Sequence, residues 1–116
     1  MRRGDVVWTD LGRPRGREAS RRRPVVIVSH DALNRVVEGL GRGVVTVVPI
    51  ATNVERVYPF QVFLPAEETG LPADGKAQAE QVRAVDVGRL GSGAVGALPA
   101  ERLRRLDAAL RLHLAL

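Results

Sequence analysis

The densest group of chemically capable side chains is an arginine-rich segment near the N-terminus. Six arginines fall within eleven residues, and Glu18 is the only acidic residue among them. A guanidinium group donates paired hydrogen bonds to phosphate and stacks on nucleobases. A carboxylate among such groups can accept a proton beside a bound phosphate. The segment therefore predicts a phosphate-binding surface with one candidate acid–base group, and its arginines are Arg13, Arg15, Arg17, Arg21, Arg22 and Arg23.

Two further segments carry side chains suited to nucleic acid. Thr52 and Asn53 follow an apolar run, and both can donate hydrogen bonds to phosphate oxygens or base edges. Two of the chain's four aromatic residues lie close together, at Tyr58 and Phe60. Tyr58 is the candidate for stacking on a base, and Phe60 is expected in the core. Residues of these types also serve in turns and cores, so each segment has a structural interpretation beside the functional one.

The sequence contains few residues suited to other kinds of catalysis. The absence of cysteine excludes a disulfide framework, an iron–sulfur cluster and a thiol nucleophile. His30 and His113 have no partner at metal-ligand spacing except the adjacent Asp31. The serines lack the sequence context of a serine nucleophile. We therefore expect neither a metal ion nor a cofactor, and we expect His113 to cap the end of a helix or to face solvent.

The composition indicates one globular domain over residues 1–116, with 45% hydrophobic residues. The net charge is +5, and all but one of the 18 basic residues are arginine, so polyanions are the expected partners. A genome rich in G and C would explain arginine in place of lysine, but not the clustering of the arginines. The apolar runs are too short to span a bilayer, and no apolar signal region follows the N-terminus. We expect a cytoplasmic protein without a membrane segment.

Five short strands are predicted, and they must position these side chains. Branched and aromatic residues favour strands over residues 4–11, 24–28, 44–50, 60–64 and 77–82. The strand over 60–64 alternates apolar and polar residues and is expected to be half exposed. The arginine-rich segment, residues 12–22, is then the loop that joins the first two strands.

One long helix and several irregular segments complete the prediction. A short helical turn over 31–34 is expected, capped by Asp31 or Ser29, and residues 65–76 and 88–96 are expected as loops. The long helix begins near Pro99, with leucines at 103, 106, 110 and 114. Ion pairs four residues apart are expected within it, joining 101 to 105 and 107 to 111. The pattern favours a mainly β fold with helices, a curved antiparallel sheet or partly open barrel capped by the C-terminal helix.

Six short segments also follow one another in a recognisable order and spacing. Together they resemble the MazF/PemK family of toxin endoribonucleases from bacterial type II toxin–antitoxin pairs, over nearly the whole chain. The segments are residues 3–8 (RGDVVW), 15–18 (RGRE), 23–25 (RPV), 46–50 (TVVPI), 58–62 (YPFQV) and 79–83 (AEQVR).

The resemblance implies a fold and an activity. The fold would be a small SH3-like antiparallel barrel with a long C-terminal helix, working as a homodimer with RNA in a groove at the dimer interface. The activity would be metal-independent, sequence-selective cleavage of single-stranded RNA, mRNA or tRNA, that leaves 2′,3′-cyclic phosphate and 5′-hydroxyl ends. A cognate MazE-like antitoxin would silence the toxin by placing an acidic tail in the same groove.

The resemblance also implies the site residues. The family's catalytic arginine falls on Arg23 and its loop glutamate on Glu18. Its hydroxyl motif, usually Pro-Leu/Val-Thr-Ser-Asn, reads PIATN at residues 49–53, so Ala51 takes the position of the threonine and Thr52 that of the serine. Either Thr52 takes over the role of the hydroxyl, or catalysis is weaker. The residues assigned to RNA binding are Arg15, Arg17, Arg21, Arg22, Asn53, Tyr58, Gln81 and Arg83.

The chemistry of the candidate catalytic side chains indicates a different role for each. A guanidinium group effectively never loses its proton in a protein, so Arg23 is assigned to stabilising the phosphorane and Glu18 to the role of general base. Thr52 would orient a phosphate oxygen. Three alternatives remain: a non-catalytic nucleic-acid-binding barrel, which Ala51 favours; a toxin of the same fold that acts on a protein such as gyrase; and a purely structural domain.

Overall fold

Seven strands form one curved antiparallel sheet in a computed structural model that describes all of residues 1–116. The strand order is β4-β5-β3-β2-β1-β7, and β6 also pairs with β3. The first half of β3 pairs with β6 and its end pairs with β5, so the sheet divides along β3 and curls into a partly open barrel. The strands are β1 (Asp5–Asp10), β2 (Arg22–Ile27), β3 (Val44–Ala51), β4 (Gln61–Leu64), β5 (Gly75–Gln78), β6 (Arg83–Asp86) and β7 (Gly96–Ala97).

Alternate side chains of the central strands enter two separate cores, because successive residues of a strand point to opposite faces. One core contains Val6, Val26 and Val48, and it is closed by the C-terminal helix through Leu106. The other contains the intervening residues of the same strands, among them Val25. The expected small antiparallel barrel with a long C-terminal helix is therefore confirmed.

The C-terminal helix α3 (Ala100–Leu114) packs across the first core. Leu106 is fully buried, and the predicted pair of Glu101 with Arg105 forms at 3.3 Å. The second predicted pair is wrong: Asp107 accepts a hydrogen bond from Arg3 at 2.7 Å in place of Arg111. No helix of the chain combines the length and the apolar content needed to cross a bilayer.

Helix α1 (Asp31–Leu40) is longer than the predicted turn over 31–34. The predicted caps are also wrong, since His30 caps the helix by accepting the backbone N–H of Ala32 at 3.0 Å. The Asp31 carboxylate instead accepts the backbone N–H of Arg3, and the Ser29 hydroxyl hydrogen-bonds to Asn34. Those two side chains are engaged elsewhere and cannot close the first turn.

Residues 65–86 differ most from the prediction. A short helix, α2 (Ala66–Thr69), lies within the expected loop, and the expected strand over 77–82 is β5 followed by a 3₁₀ turn, Ala79–Gln81. Strand β6 and a second 3₁₀ turn, Val87–Arg89, were not predicted. In β4 the expected alternation holds for Val62, Phe63 and Leu64, but Gln61, expected to face outward, is only 8% exposed. Gln61 is buried because its amide bonds the Glu80 carboxylate and the Tyr58 backbone N–H.

Candidate functional site

The arginine-rich loop between β1 and β2 is closed at its base by two backbone hydrogen bonds. The N–H of Leu11 donates to the carbonyl of Arg21 at 2.8 Å, and the N–H of Arg21 donates to the carbonyl of Gly12 at 2.6 Å. This closure needs left-handed backbone at both Gly12 (φ 85°) and Arg21 (φ 61°). A residue with a side chain costs about 1–2 kcal/mol in that conformation. Arg21 therefore holds a strained turn at the point where the loop enters β2.

A glutamine more than sixty residues further along the chain anchors the tip of the loop. The Gln81 amide accepts the N–H of Ala19 at 2.6 Å and donates to the carbonyl of Arg17 at 3.0 Å. Ala19 is itself buried in the second core. Glu18 lies between these two anchored peptide groups, with an exposed side chain that makes no hydrogen bond or ion pair. In the structure Gln81 is thus a loop anchor, a role that its local sequence did not indicate.

Arg23 and Thr52 line one groove of about 480 Å³ beside the loop. Arg23 is half-buried, and its Nε donates to the carbonyl of Ser20 at 3.3 Å. The rest of its guanidinium group has no hydrogen-bond partner in the protein. The groove also contains Trp8, Ser20, Arg21, Arg22, Pro24 and Ile50.

The PIATN motif carries a hydroxyl at Thr52 and none at position 51. Ala51 ends β3, where it pairs with Lys76 of β5, and it does not line the groove. Thr52 is the first residue beyond the strand, is exposed and does line it. Thr52 is therefore the hydroxyl that the PIATN motif offers at the groove, where Ser20 of the loop carries a second one.

A wider cleft of about 970 Å³ opens on the same side of the loop. The only tryptophan, Trp8, belongs to both cavities, and the Arg22 guanidinium lies over its ring at 5.3 Å. Arg89 reaches the cleft from the second 3₁₀ turn, where its Nη1 donates to the carbonyl of Asp10 at 3.3 Å. Sequence reasoning missed both Trp8 and Arg89. The rarity of tryptophan was the available signal for Trp8, whereas nothing local marked Arg89.

The remaining predicted site residues are dispersed. Arg83 donates to the carbonyl of Leu11 at 3.2 Å and so braces the end of β1. The side-chain oxygen of Asn53 accepts the N–H of Glu55 at 3.1 Å, which closes a turn. The side chains of Arg15 and Arg17 are exposed and form no ion pair.

Tyr58 lines a different groove, next to α3. Its ring stacks on Phe60 with the centroids 5.4 Å apart, and Arg56 lies over its ring at 5.7 Å. The expectation that Phe60 belongs to the core is wrong, because it is only half-buried and packs on Tyr58. A hydrogen bond with the Tyr58 hydroxyl raises the pKa of Arg56.

Shifted pKa values elsewhere lie outside the groove. The backbone N–H of Arg3 lowers the pKa of Asp31, and hydrogen bonds from Arg104 and Arg105 lower the pKa of Glu101. No three His, Cys, Asp or Glu side chains come together in a way that could hold a metal ion. The charged groups that line the groove are those of Arg21, Arg22 and Arg23, whereas Glu18 lies on the adjoining loop and does not line it.

Comparisons with known proteins agree in family and in fold. Residues 2–114 match the family model described as PemK-like, MazF-like toxin of type II toxin–antitoxin system. The endoribonuclease MazF9 of Mycobacterium tuberculosis is 51% identical over 116 residues, which is 100% of this chain and 98% of that protein. The endoribonuclease EndoA of Bacillus subtilis is 30% identical over 117 residues, with coverage of 100% and 96%.

Two solved structures show the same chain path. A crystal structure of MazF from Deinococcus radiodurans superposes with a TM-score of 0.81 at 26% identity and covers 100% of this chain and 97% of its own. An endoribonuclease in complex with its cognate antitoxin, from a mycobacterial species, superposes with a TM-score of 0.78 at 25% identity, with coverage of 100% and 96%.

Proposed function

The chain belongs to the PemK-like, MazF-like toxins of type II toxin–antitoxin systems and is an endoribonuclease, and from that premise we propose how it cuts RNA. The proposed reaction is metal-independent, sequence-selective cleavage of single-stranded RNA, mRNA or tRNA, to 2′,3′-cyclic phosphate and 5′-hydroxyl ends. One observation carries the proposal: Arg23 and Thr52 line a single groove beside the anchored loop that holds Glu18. The proposed place of action is the cytoplasm.

Each step of the reaction has a residue suited to it. The 2′-oxygen of the ribose attacks the adjacent phosphorus, and the Glu18 carboxylate takes the proton of that hydroxyl. Negative charge builds on the phosphorane oxygens, where Arg23 donates hydrogen bonds that strengthen in the transition state. The bond from phosphorus to the 5′-oxygen breaks, and solvent protonates the leaving oxygen. Thr52 orients a non-bridging phosphate oxygen.

Support for Arg23 in the stabilising role comes from its surroundings. Its Nε is held by the Ser20 carbonyl, which fixes the plane of the guanidinium group. The terminal nitrogens are left unbonded within the protein, so they are available to two phosphate oxygens. A planar group fixed in this way needs no reorganisation when charge develops.

The other arginines would bind the RNA backbone on either side of the cut. Arg15, Arg17, Arg21 and Arg22 are exposed and free of ion pairs. Contacts of this kind supply most of the affinity for a polyanion and make it depend on salt. Asn53, Tyr58, Gln81 and Arg83 stay proposed RNA contacts, although each side chain is already engaged within the protein.

We propose two protein partners. A homodimer would place RNA in a groove between two copies, and the exposed apolar side chains Leu33, Val36 and Leu40 of α1 and Leu112 at the end of α3 support an association. A MazE-like antitoxin would lay an acidic tail on the arginine-rich loop, as the charge of the loop favours.

The test combines chelation with mapping of the RNA ends. Purified protein is incubated with a long RNA in excess EDTA, and the new termini are identified. The proposal expects 5′-hydroxyl and cyclic phosphate ends, which are lost in Arg23→Ala and Arg23→Lys and greatly reduced in Glu18→Gln. Full cleavage by Glu18→Gln would remove Glu18 as the base. Intact RNA that still shifts on a gel would support the non-catalytic binding alternative.

A further inference from the structure

The only tryptophan of the chain lies where the two cavities beside the loop meet. Trp8 is half-buried on β1 and pairs with Pro24 of β2. It lines the groove of Arg23 and Thr52, and it also lines the wider cleft. A large aromatic surface therefore stands directly beside the proposed position of the scissile phosphate, and the proposed mechanism gives it no role.

The side chain of Arg22 covers the face of the Trp8 ring and can be displaced from it. The Arg22 guanidinium lies 5.3 Å from the ring centroid, is exposed, and makes no hydrogen bond or ion pair. A cation over an aromatic ring at an exposed site contributes only about a twofold to fivefold preference. Stacking of a nucleobase on such a ring contributes about fivefold to 150-fold in affinity. A base can therefore displace Arg22 from Trp8 with a net gain.

The cleft around Trp8 has the charge that a nucleotide needs. Arg13, Arg21 and Arg89 line it together with Arg22. Its one carboxylate, Asp10, accepts the backbone N–H of Gly12 at 2.8 Å and so already has a partner. An aromatic surface bordered by several cations fits an unpaired base with its flanking phosphates, since the base can stack while the phosphates meet arginine.

We propose that Trp8 stacks one unpaired nucleobase next to the scissile phosphate. The base takes the place over the ring that Arg22 occupies in the free protein, and Arg22 turns to a flanking phosphate with Arg13 and Arg21. Because every base has a stacking face, this subsite selects single-stranded nucleic acid over duplex and does not select one base. The proposal rests on RNA being the substrate, as proposed above.

The test uses oligomers that cannot be cut. Single-stranded oligodeoxynucleotides lack the 2′-hydroxyl, so they report binding alone, and abasic oligomers of equal length carry the same charge without bases. Trp8 is the only tryptophan, so fluorescence excited at wavelengths that Tyr58 does not absorb comes from Trp8 alone. We expect quenching by the base-bearing oligomer and not by the abasic one. Quenching by both to the same extent, or by neither, would overturn the proposal.

Variants separate stacking from folding and from charge. Trp8→Leu should bind a labelled base-bearing oligomer about fivefold to 150-fold more weakly and bind the abasic oligomer as before. Trp8→Phe keeps a ring and should recover much of the loss, while thermal unfolding confirms that both variants fold. Equal binding of the base-bearing oligomer by Trp8→Leu and the native protein would refute stacking. Cleavage of RNA is measured separately, so absent cleavage with base-dependent quenching would contradict the proposed function and leave this subsite standing.

Discussion

Gln81 holds the backbone on both sides of Glu18. Its side-chain oxygen accepts the N–H of Ala19 at 2.6 Å, and its side-chain nitrogen donates to the carbonyl of Arg17 at 3.0 Å. These contacts join the arginine-rich loop to the 3₁₀ turn that follows β5. The position of the proposed base is therefore set by a residue more than sixty positions away in the sequence, while its carboxylate stays free to meet substrate.

Replacing Gln81 by leucine should reduce cleavage more than binding. The substitution leaves the N–H of buried Ala19 without an acceptor, at a cost of about 1–3 kcal/mol. The loop then loosens around Glu18 while its arginines keep their charge. We expect a lower kcat with little change in KM, together with faster tryptic cleavage within the loop.

A neighbouring glutamine provides the control for this prediction. Gln78 lies three residues earlier, and its side-chain oxygen has no hydrogen-bond partner. Gln78→Leu should therefore leave both kcat and the tryptic pattern of the loop unchanged. Equal losses of kcat in the two variants would show that Gln81 has no particular connection to Glu18.

Salt dependence of RNA binding should identify the loop as the binding surface. For a single strand, each neutralised phosphate contributes about 0.7 to the slope of log K against log salt. Removing Arg15 and Arg17 together should therefore lower that slope by about 1.4. The matched control removes Arg104 and Arg105, which carry the same charge on α3 but pair with Glu101. A slope that changes equally in both double variants would indicate net charge and not the loop.

The parts of the fold that could be predicted are those with a strong local pattern. The strands around Val26 and Val48 are continuous apolar runs, and the leucines of α3 repeat at helical spacing. Helix α1 was underestimated because most of its apolar residues, such as Val36, face solvent, while its buried residues are Val37 and the polar Asn34. A hydrophobic pattern indicates a helix less clearly when the core lies on its polar side.

In the candidate site, too, features with a local sequence pattern could be predicted and contacts between distant residues could not. The loop with Glu18 and the position of Arg23 could be read from composition and order along the chain. The anchoring by Gln81 and the approach of Arg89 join residues more than sixty positions apart, and no local pattern marks such contacts. The ion pair of Asp107 with Arg3 was missed for the same reason.

Acid should weaken the attachment of the N-terminal segment to α1. The backbone N–H of Arg3 donates to Asp31 at 2.6 Å and lowers the pKa of that carboxyl. A carboxyl whose pKa is lower in the folded state stabilises the fold above its unfolded pKa, about 3.9, and this contribution disappears as the pH falls further. Urea unfolding between pH 6 and pH 3 should therefore show a smaller decline in the free energy of unfolding for Asp31→Asn than for the native chain. Parallel declines in the two proteins would contradict this role of Asp31.

The single hydroxyl of the PIATN motif, on Thr52, gives a direct prediction about catalysis. Thr52 lines the groove with Arg23, and Ala51 does not. Thr52→Ala should therefore slow cleavage by about tenfold to 150-fold, which is the rate effect of losing one hydrogen bond to a charged group. Ala51→Thr restores the usual motif, but its hydroxyl projects from the last residue of β3, where successive side chains point to opposite faces. Added to Thr52→Ala, it should therefore not recover the rate. Full recovery of kcat in the Ala51→Thr, Thr52→Ala double variant would show that position 51 is the catalytic one and that Thr52 acts only as its substitute.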